Sequence, residues 1–240
     1  MGQDPAGTDS LAVQVAPQNH WPQIHALICV VSDDKKDTSS TSGMQRTVET
    51  SPLLPYRIKH VVPERMETIS KAILDRDFST FARITMAESN QFHAVALDTE
   101  PPIFYMNDVS RAIVALIVEY NRLSVASGGP YKAAYTYDAG PNAVIYALEE
   151  NVSEIASLIL AYFPQKPGEF KDVLGLYGAD GSKDINAFAK VPQGFNENVA
   201  KQFDVGAVKG LIHTRVGGGP RKLADEECLL ADSGLPKSLS

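Results

Sequence analysis

Asp138 stands at the corner of YTYDAGPNA (135–143), where an apolar stretch ends and Ala139-Gly140-Pro141 reverses the chain. Gly140 can take backbone shapes that a Cβ resists, and Pro141 fixes the next φ. Such a turn can hold a carboxylate in one place at a sheet edge. A carboxylate held there suits a general base acting on a substrate hydroxyl; the same spacing also describes a turn aspartate bonded to its own backbone. A second group is KDTSSTSGM (36–44), in which Thr38 to Thr41 are all small and hydroxylated and precede a helical pattern. Free backbone N–H groups at a helix start, with hydroxyl donors and Lys35 and Lys36 nearby, can bind an anion; ordinary Ser or Thr capping would use the same residues. In SNQFHAVALDT (89–99), Ser89, Asn90 and His93 share one helical face. They can line a polar pocket or serve as satisfied structural groups. No second His or Cys lies at metal-ligand spacing, so a zinc site is not expected. His20 and His25 show no partner in the sequence. The Gly217–Pro220 run precedes no clear helix and reads as a strand exit, not a phosphate cradle.

The elements that must position these groups follow from periodicity. Ile24–Val31 is apolar and β-branched and stops at SDDKKD, which predicts a buried strand. A helix is expected from Ser42 or Gly43 to Pro52. Another starts near Tyr56, with Ile58, Val61, Val62, Met66, Ile69 and Ile73 at three- and four-residue spacing and Pro63 as a kink or divider. Asp77 caps a helix bearing Phe78, Phe81, Ile84 and Thr85. Pro101-Pro102 breaks the chain, and a helix over 104–123 follows, with Ile113, Leu116, Ile117, Tyr120 and Leu123 inward. Tyr131–Tyr137 and Asn142–Leu148 form an antiparallel pair, 151–163 a helix, and Val208–Val216 a last strand. Residues 164–192 are rich in Pro, Gly, Lys and Asp and read as a surface excursion, within a variable stretch taken as 164–205. Strands and helices do not alternate strictly. The expected class is therefore α+β, an antiparallel sheet packed against helices.

Composition narrows the function. The chain has 240 residues, 44% of them hydrophobic, enough for a sizeable core. Its net charge is −7, from 22 basic and 29 acidic residues, which argues against a nucleic-acid partner. Cys29 and Cys228 are far apart and form no CxxC, as expected of free thiols in a reducing compartment. The opening MGQDPAGTDS is polar, and the longest apolar helical run, Ala112–Val118, falls far short of the roughly 20 residues of a membrane span. A soluble, cytoplasmic protein without a membrane partner is expected.

Together, and in this order, the motifs resemble one family. WPQIHALICVVSDDKKDTSSTSGMQRTVETSPL (21–53), SNQFHAVALDTEPPIFYMND (89–108) and AYTYDAGPNAVIY (134–146) are similar to the carboxy-terminal half of diphosphomevalonate decarboxylases, of the GHMP kinase superfamily. TRVGGGP (214–220) and GLPK (234–237) fit the family's closing strand and tail. The resemblance implies a domain with a ferredoxin-like layer over 23–220, a linker or remnant at 1–22 and a tail at 221–240. It implies an ATP- and Mg²⁺-dependent enzyme of isoprenoid and sterol biosynthesis, acting as a homodimer. That enzyme phosphorylates the tertiary hydroxyl of mevalonate 5-diphosphate and releases phosphate and CO₂ to give isopentenyl diphosphate. Asp138 would deprotonate or orient that hydroxyl. Ser39, Ser40 and Thr41 would contact substrate phosphates, with Met44 nearby. The family's PxxxGLxSSA phosphate loop, its YWGK-like motif and its GSA segment with an essential Arg do not occur in these residues. The nucleotide site is accordingly expected in an amino-terminal domain not included here, and the 240 residues alone are expected to be inactive. The readings left beside this one are a non-catalytic dimerisation module and the carboxy-terminal domain of another GHMP kinase, such as a mevalonate or phosphomevalonate kinase.

Overall fold

Ile24–Val30 forms β1, and the strand is covered on both faces, as its largely apolar sequence requires. The computed structural model describes residues 6–9, 11–32, 39–172, 174–177, 184–219, 221–231 and 233–237. After β1 come helix α1 (Ser40–Thr50), the short α2 (Leu53–Tyr56), a π-helical turn (Arg57–Val61) and α3 (Val62–Asp75). Then follow α4 (Phe78–Leu97), α5 (Asp108–Ala126), β2 (Ala133–Thr136), β3 (Ala143–Leu148), α6 (Glu149–Tyr162), β4 (Phe170–Asp172) and β5 (Gly210–Arg215).

The strands make one five-stranded sheet in the order β2-β3-β1-β5-β4. The sheet is mixed: β2–β3, β3–β1 and β1–β5 are antiparallel, but β4 runs parallel to β5, which the sequence did not suggest. The register sets Tyr135 opposite Ile145, Ile145 opposite Leu27 and Leu27 opposite His213. Paired residues point to the same side, so Ala133, Tyr135, Ala143, Ile145, Ala147, His25, Leu27, Cys29, Leu211 and His213 share one buried face. Ile113, Leu116 and Ile117 of α5 and Ile155, Leu158 and Ile159 of α6 join the same core, each no more than 1% exposed.

Several boundaries differ from the sequence expectation for local reasons. α1 begins at Ser40 because Ser39 is its N-cap, its Oγ accepting from Ser42 N at 3.1 Å. Pro55 lies inside α2, and Pro63 occupies the first turn of α3, where a missing N–H costs nothing. α5 starts at Asp108, not 104, because Asn107 and Ser110 form a capping box. The segment 164–205 also contributes β4, the buried Gln165 and the buried Phe195. At the edge of β2, the Asn121 side chain donates to Ala133 O (2.8 Å) and accepts from Lys132 N (2.9 Å) and Ala133 N (3.1 Å).

Candidate active site

The turn between β2 and β3 is fastened from three sides. Ser110 Oγ lies 2.9 Å from the Pro141 carbonyl, and the Tyr137 hydroxyl donates to Ser110 O at 2.9 Å. Asn142 Oδ1 accepts from Val31 N at 2.7 Å and Ser32 N at 2.9 Å, tying the turn to the exit of β1. Within the turn, Gly140 N donates to Asp138 O at 2.8 Å. Tyr137, Ala139 and Gly140 are buried while Asp138 is exposed, so the carboxylate is the group this turn presents. Among the described residues that carboxylate takes no hydrogen bond. The backbone-bonded aspartate that the sequence also allowed is therefore not what forms.

Helix α4 grips the same segment. Ser89 Oγ accepts from Tyr137 N at 3.0 Å, and Asn90 Oδ1 accepts from the Tyr135 hydroxyl at 2.9 Å. The shared face of Ser89, Asn90 and His93 thus serves β2 more than a pocket. His93 is wedged edge-on against Phe92, Tyr105 and Tyr137, with centroids 5.3, 6.3 and 6.2 Å away. Burial holds its imidazole below the usual histidine range, opposed by the Tyr137 backbone and the charge of Asp138. The Tyr105 hydroxyl is pushed up by burial; Arg46 opposes this and Asp138 adds to it.

Arg46 belongs to α1, so α1 and the Asp138 turn act electrostatically on one tyrosine hydroxyl. The C-terminal part of α1 is fastened to the end of α4: Thr47 and Thr99 hydroxyls lie 2.8 Å apart, and Ser51 Oγ donates to Asp98 Oδ2 at 2.6 Å. At the other end Ser39, Ser40, Thr41 and Met44 are exposed and only Gly43 is buried. Ser39 is both a predicted anion contact and the cap of the helix. Lys35, Lys36 and Thr38 lie outside the described residues, as does Pro220.

Residues 26–223 match the family description "Mevalonate 5-diphosphate decarboxylase C-terminal domain". The chain belongs to the mevalonate 5-diphosphate decarboxylase family. It is similar to the diphosphomevalonate decarboxylase of Ganoderma lucidum, with 69% identity over 237 residues, 99% of this chain and 58% of that protein. Among solved structures it resembles mevalonate diphosphate decarboxylase from Trypanosoma brucei, at TM-score 0.76 and 34% identity, covering 96% of this chain and 58% of that one. It also resembles a crystal structure of mevalonate 5-diphosphate decarboxylase at TM-score 0.73 and 41% identity, covering 98% and 57%. The chain thus spans somewhat over half the length of the relatives it matches.

For a member of this decarboxylase family, the arrangement offers two chemical capacities. One is an exposed carboxylate on a rigid turn, able to accept a proton. The other is a helix start with exposed hydroxyls, able to bind an anion. Among the described residues no group of three or more His, Cys, Asp or Glu is placed to hold a metal ion. No described helix is long and apolar enough to cross a membrane. A groove of about 560 Å³ between α4 and α5 is lined by Asn90, Tyr135 and Arg83, but not by Asp138 or the α1 hydroxyls. Sequence reasoning missed Tyr105, Arg46 and Asn142. The signal for Asn142 was its place directly after Pro141; Tyr105 and Arg46 meet only through the fold. It also missed the partners of two histidines. His20 Nε2 lies 3.0 Å from Ile73 O, and His25 Nδ1 lies 3.0 Å from His213 Nε2, whose Nδ1 is 3.1 Å from Asp172 Oδ1.

Proposed function

We propose that this chain supplies the proton-accepting part of a diphosphomevalonate decarboxylase active site, with mevalonate 5-diphosphate as substrate. The observation that carries the reading is Asp138: an exposed carboxylate without a hydrogen bond among the described residues, on a tethered turn between the buried Tyr137 and Ala139. Asp138 accepts or orients the proton of the tertiary hydroxyl, which becomes the nucleophile towards a phosphoryl group. Departure of phosphate and then of CO₂, whose carboxylate supplies the electron pair, gives isopentenyl diphosphate. Positioning and charge neutralisation carry most of such catalysis. Ser40 and Thr41 at the exposed start of α1, with the Ser39 cap, bind substrate phosphate, and Met44 lies one turn along.

ATP and Mg²⁺ supply the phosphoryl group and its neutralisation. These partners are assigned to the amino-terminal portion of the family's enzymes. Support comes from the Enterococcus faecalis relative, whose structure is described as a mevalonate diphosphate mediated ATP binding mechanism, at TM-score 0.51 and 27% identity. The same reading assigns residues 23–220 as the carboxy-terminal domain, with 1–22 and 221–240 flanking it. It makes the whole enzyme a cytoplasmic homodimer of isoprenoid and sterol biosynthesis.

The test joins this chain to the amino-terminal portion of the Ganoderma lucidum relative and measures ATP-dependent CO₂ release. Asp138→Asn is expected to lower kcat by about 10²- to 10⁴-fold. A variant keeping more than a tenth of the rate removes Asp138 as the base. The 240 residues alone are expected to release no CO₂.

A further inference from the structure

Three side chains on three neighbouring strands form one polar line across an otherwise apolar sheet face, and the proposed chemistry uses none of them. His25 of β1 is 5% exposed and His213 of β5 is 1% exposed. His25 Nδ1 lies 3.0 Å from His213 Nε2, and His213 Nδ1 lies 3.1 Å from Oδ1 of Asp172 on β4. The second carboxylate oxygen, Asp172 Oδ2, accepts from Tyr177 N at 2.8 Å. Hydrogen-bonding roles limit how many protons this line can hold. Burial would raise the Asp172 carboxyl, but the Tyr177 N–H, the His213 ring and the Leu176 N–H hold it below the usual carboxylate range. An ionised carboxylate only accepts, so His213 Nδ1 carries hydrogen. Between the facing ring nitrogens, 3.0 Å apart, there is room for one hydrogen. With both rings neutral, His25 Nδ1–H donates to a bare His213 Nε2. One added proton also fits: His213 then donates from both nitrogens, and His25 keeps its single hydrogen on Nε2, the one ring nitrogen outside the line. A second added proton sets N–H against N–H and puts two positive charges side by side.

We propose that His25, His213 and Asp172 form a one-proton joint: it stays closed with the ring pair neutral or singly protonated, and a second proton parts the rings and loosens β1 from β5 at that level. The pair titrates as a unit. Its charged neighbours do not rescue the doubly protonated form. β4 offers Asp172, one carboxylate for two cations. α6 offers Glu149, and Arg215 of β5 opposes it. β3 places only Ala147 opposite His25. Burial, then His213, already holds His25 below the usual histidine range. Opened strands take two protons at the ordinary histidine value, about 6.5. The closed joint takes one, so acid favours opening. With one proton of difference, each pH unit below that value favours opening by up to about tenfold.

NMR of the 240-residue chain with isotope-labelled histidine reads the ring hydrogens directly. Expected is a hydrogen on one, and only one, of the two facing nitrogens, His25 Nδ1 and His213 Nε2. Both bare, or both protonated while the β1–β5 amides stay protected, overturns the joint. Hydrogen exchange at the paired amides of residues 26–28 and 212–214, corrected for intrinsic rates, is the second readout. It is expected to quicken by up to about tenfold per pH unit below about 6.5, while amides of the β2–β3 pairing stay protected. Unchanged protection as the second proton enters overturns the proposal. His25→Phe cannot form the second charge and is expected to lose this acid step. His25→Gln, which can still hydrogen-bond His213 Nε2, is expected to lose it too and serves if the Phe variant does not fold. A step that survives in the folded variant overturns the count. Asp172→Asn removes the charge that lets the closed joint keep its one proton, so loosening is expected to begin at higher pH. A step that stays in place there takes the carboxylate out of the joint and overturns the three-residue assignment.

Discussion

Replacing Asn142 by Ala should uncouple the Asp138 turn from the exit of β1. One side-chain oxygen accepts from two backbone amides, Val31 N at 2.7 Å and Ser32 N at 2.9 Å. Val31 is 6% exposed, so its N–H would be left buried and unpaired, at about 1–3 kcal/mol. Ser32 is half-buried and can be rehydrated, so its loss is nearer the net value of one hydrogen bond, about 1 kcal/mol. Together the local cost is about 2–4 kcal/mol. At about 1.4 kcal/mol per factor of ten, this corresponds to roughly 30- to 1,000-fold faster exchange at these two amides. Hydrogen exchange followed by NMR reads them directly. Asn142→Asp, which retains the accepting oxygen, should protect both amides far better than Asn142→Ala. If both amides exchange within about threefold of wild type in the Ala variant, Asn142 does not hold the strand exit and the tether drawn here is wrong.

Ser89→Ala removes the acceptor of the buried Tyr137 N–H and should destabilise the protein by about 1–3 kcal/mol, measured by urea unfolding. A loss below about 0.5 kcal/mol would count against the α4–β2 hydrogen bond. His25 should make stability fall with acidification. Burial, then His213, holds its folded pKa below the usual value, with Arg215 acting the same way and Glu149 opposing. The unfolded chain therefore takes the proton first. The stabilisation is present above about pH 6.5, the ordinary histidine value, and drains as pH falls from there towards the folded value. Melting temperatures across that window should drop in the wild type and change less in His25→Phe; equal slopes would refute the account.

Much of the fold was legible because local chemistry and final structure agree. Asp77 caps α4 as its side chain suggests, accepting from Thr80 N at 3.1 Å. IHALICV makes a buried strand, and Gly140-Pro141 turns a hairpin. Errors arose where a local signal was overridden or lacking. Phe104, Tyr105 and Met106 extend the apolar pattern of α5 backwards, but the Asn107–Ser110 box sets the start. β4 has only three residues, too few for any periodicity, and its parallel pairing depends on a partner about forty residues away. The candidate site divides similarly. Asp138 and the α1 hydroxyls announce themselves by neighbours in sequence. The His25–His213–Asp172 chain spans three strands, and Tyr105 meets Arg46 and Asp138 only once α1, the turn and the connection before α5 converge.

An open sheet invites another strand at each border, and here both borders are narrowed. At β4 the invitation is three residues long. At β2 the Asn121 amide already occupies the outward N–H and C=O of Ala133, imitating the strand that would otherwise dock there. Joining two copies of this domain edge to edge at β2 would therefore first require that amide to release Ala133. A single carboxamide thus obstructs strand templating at that position.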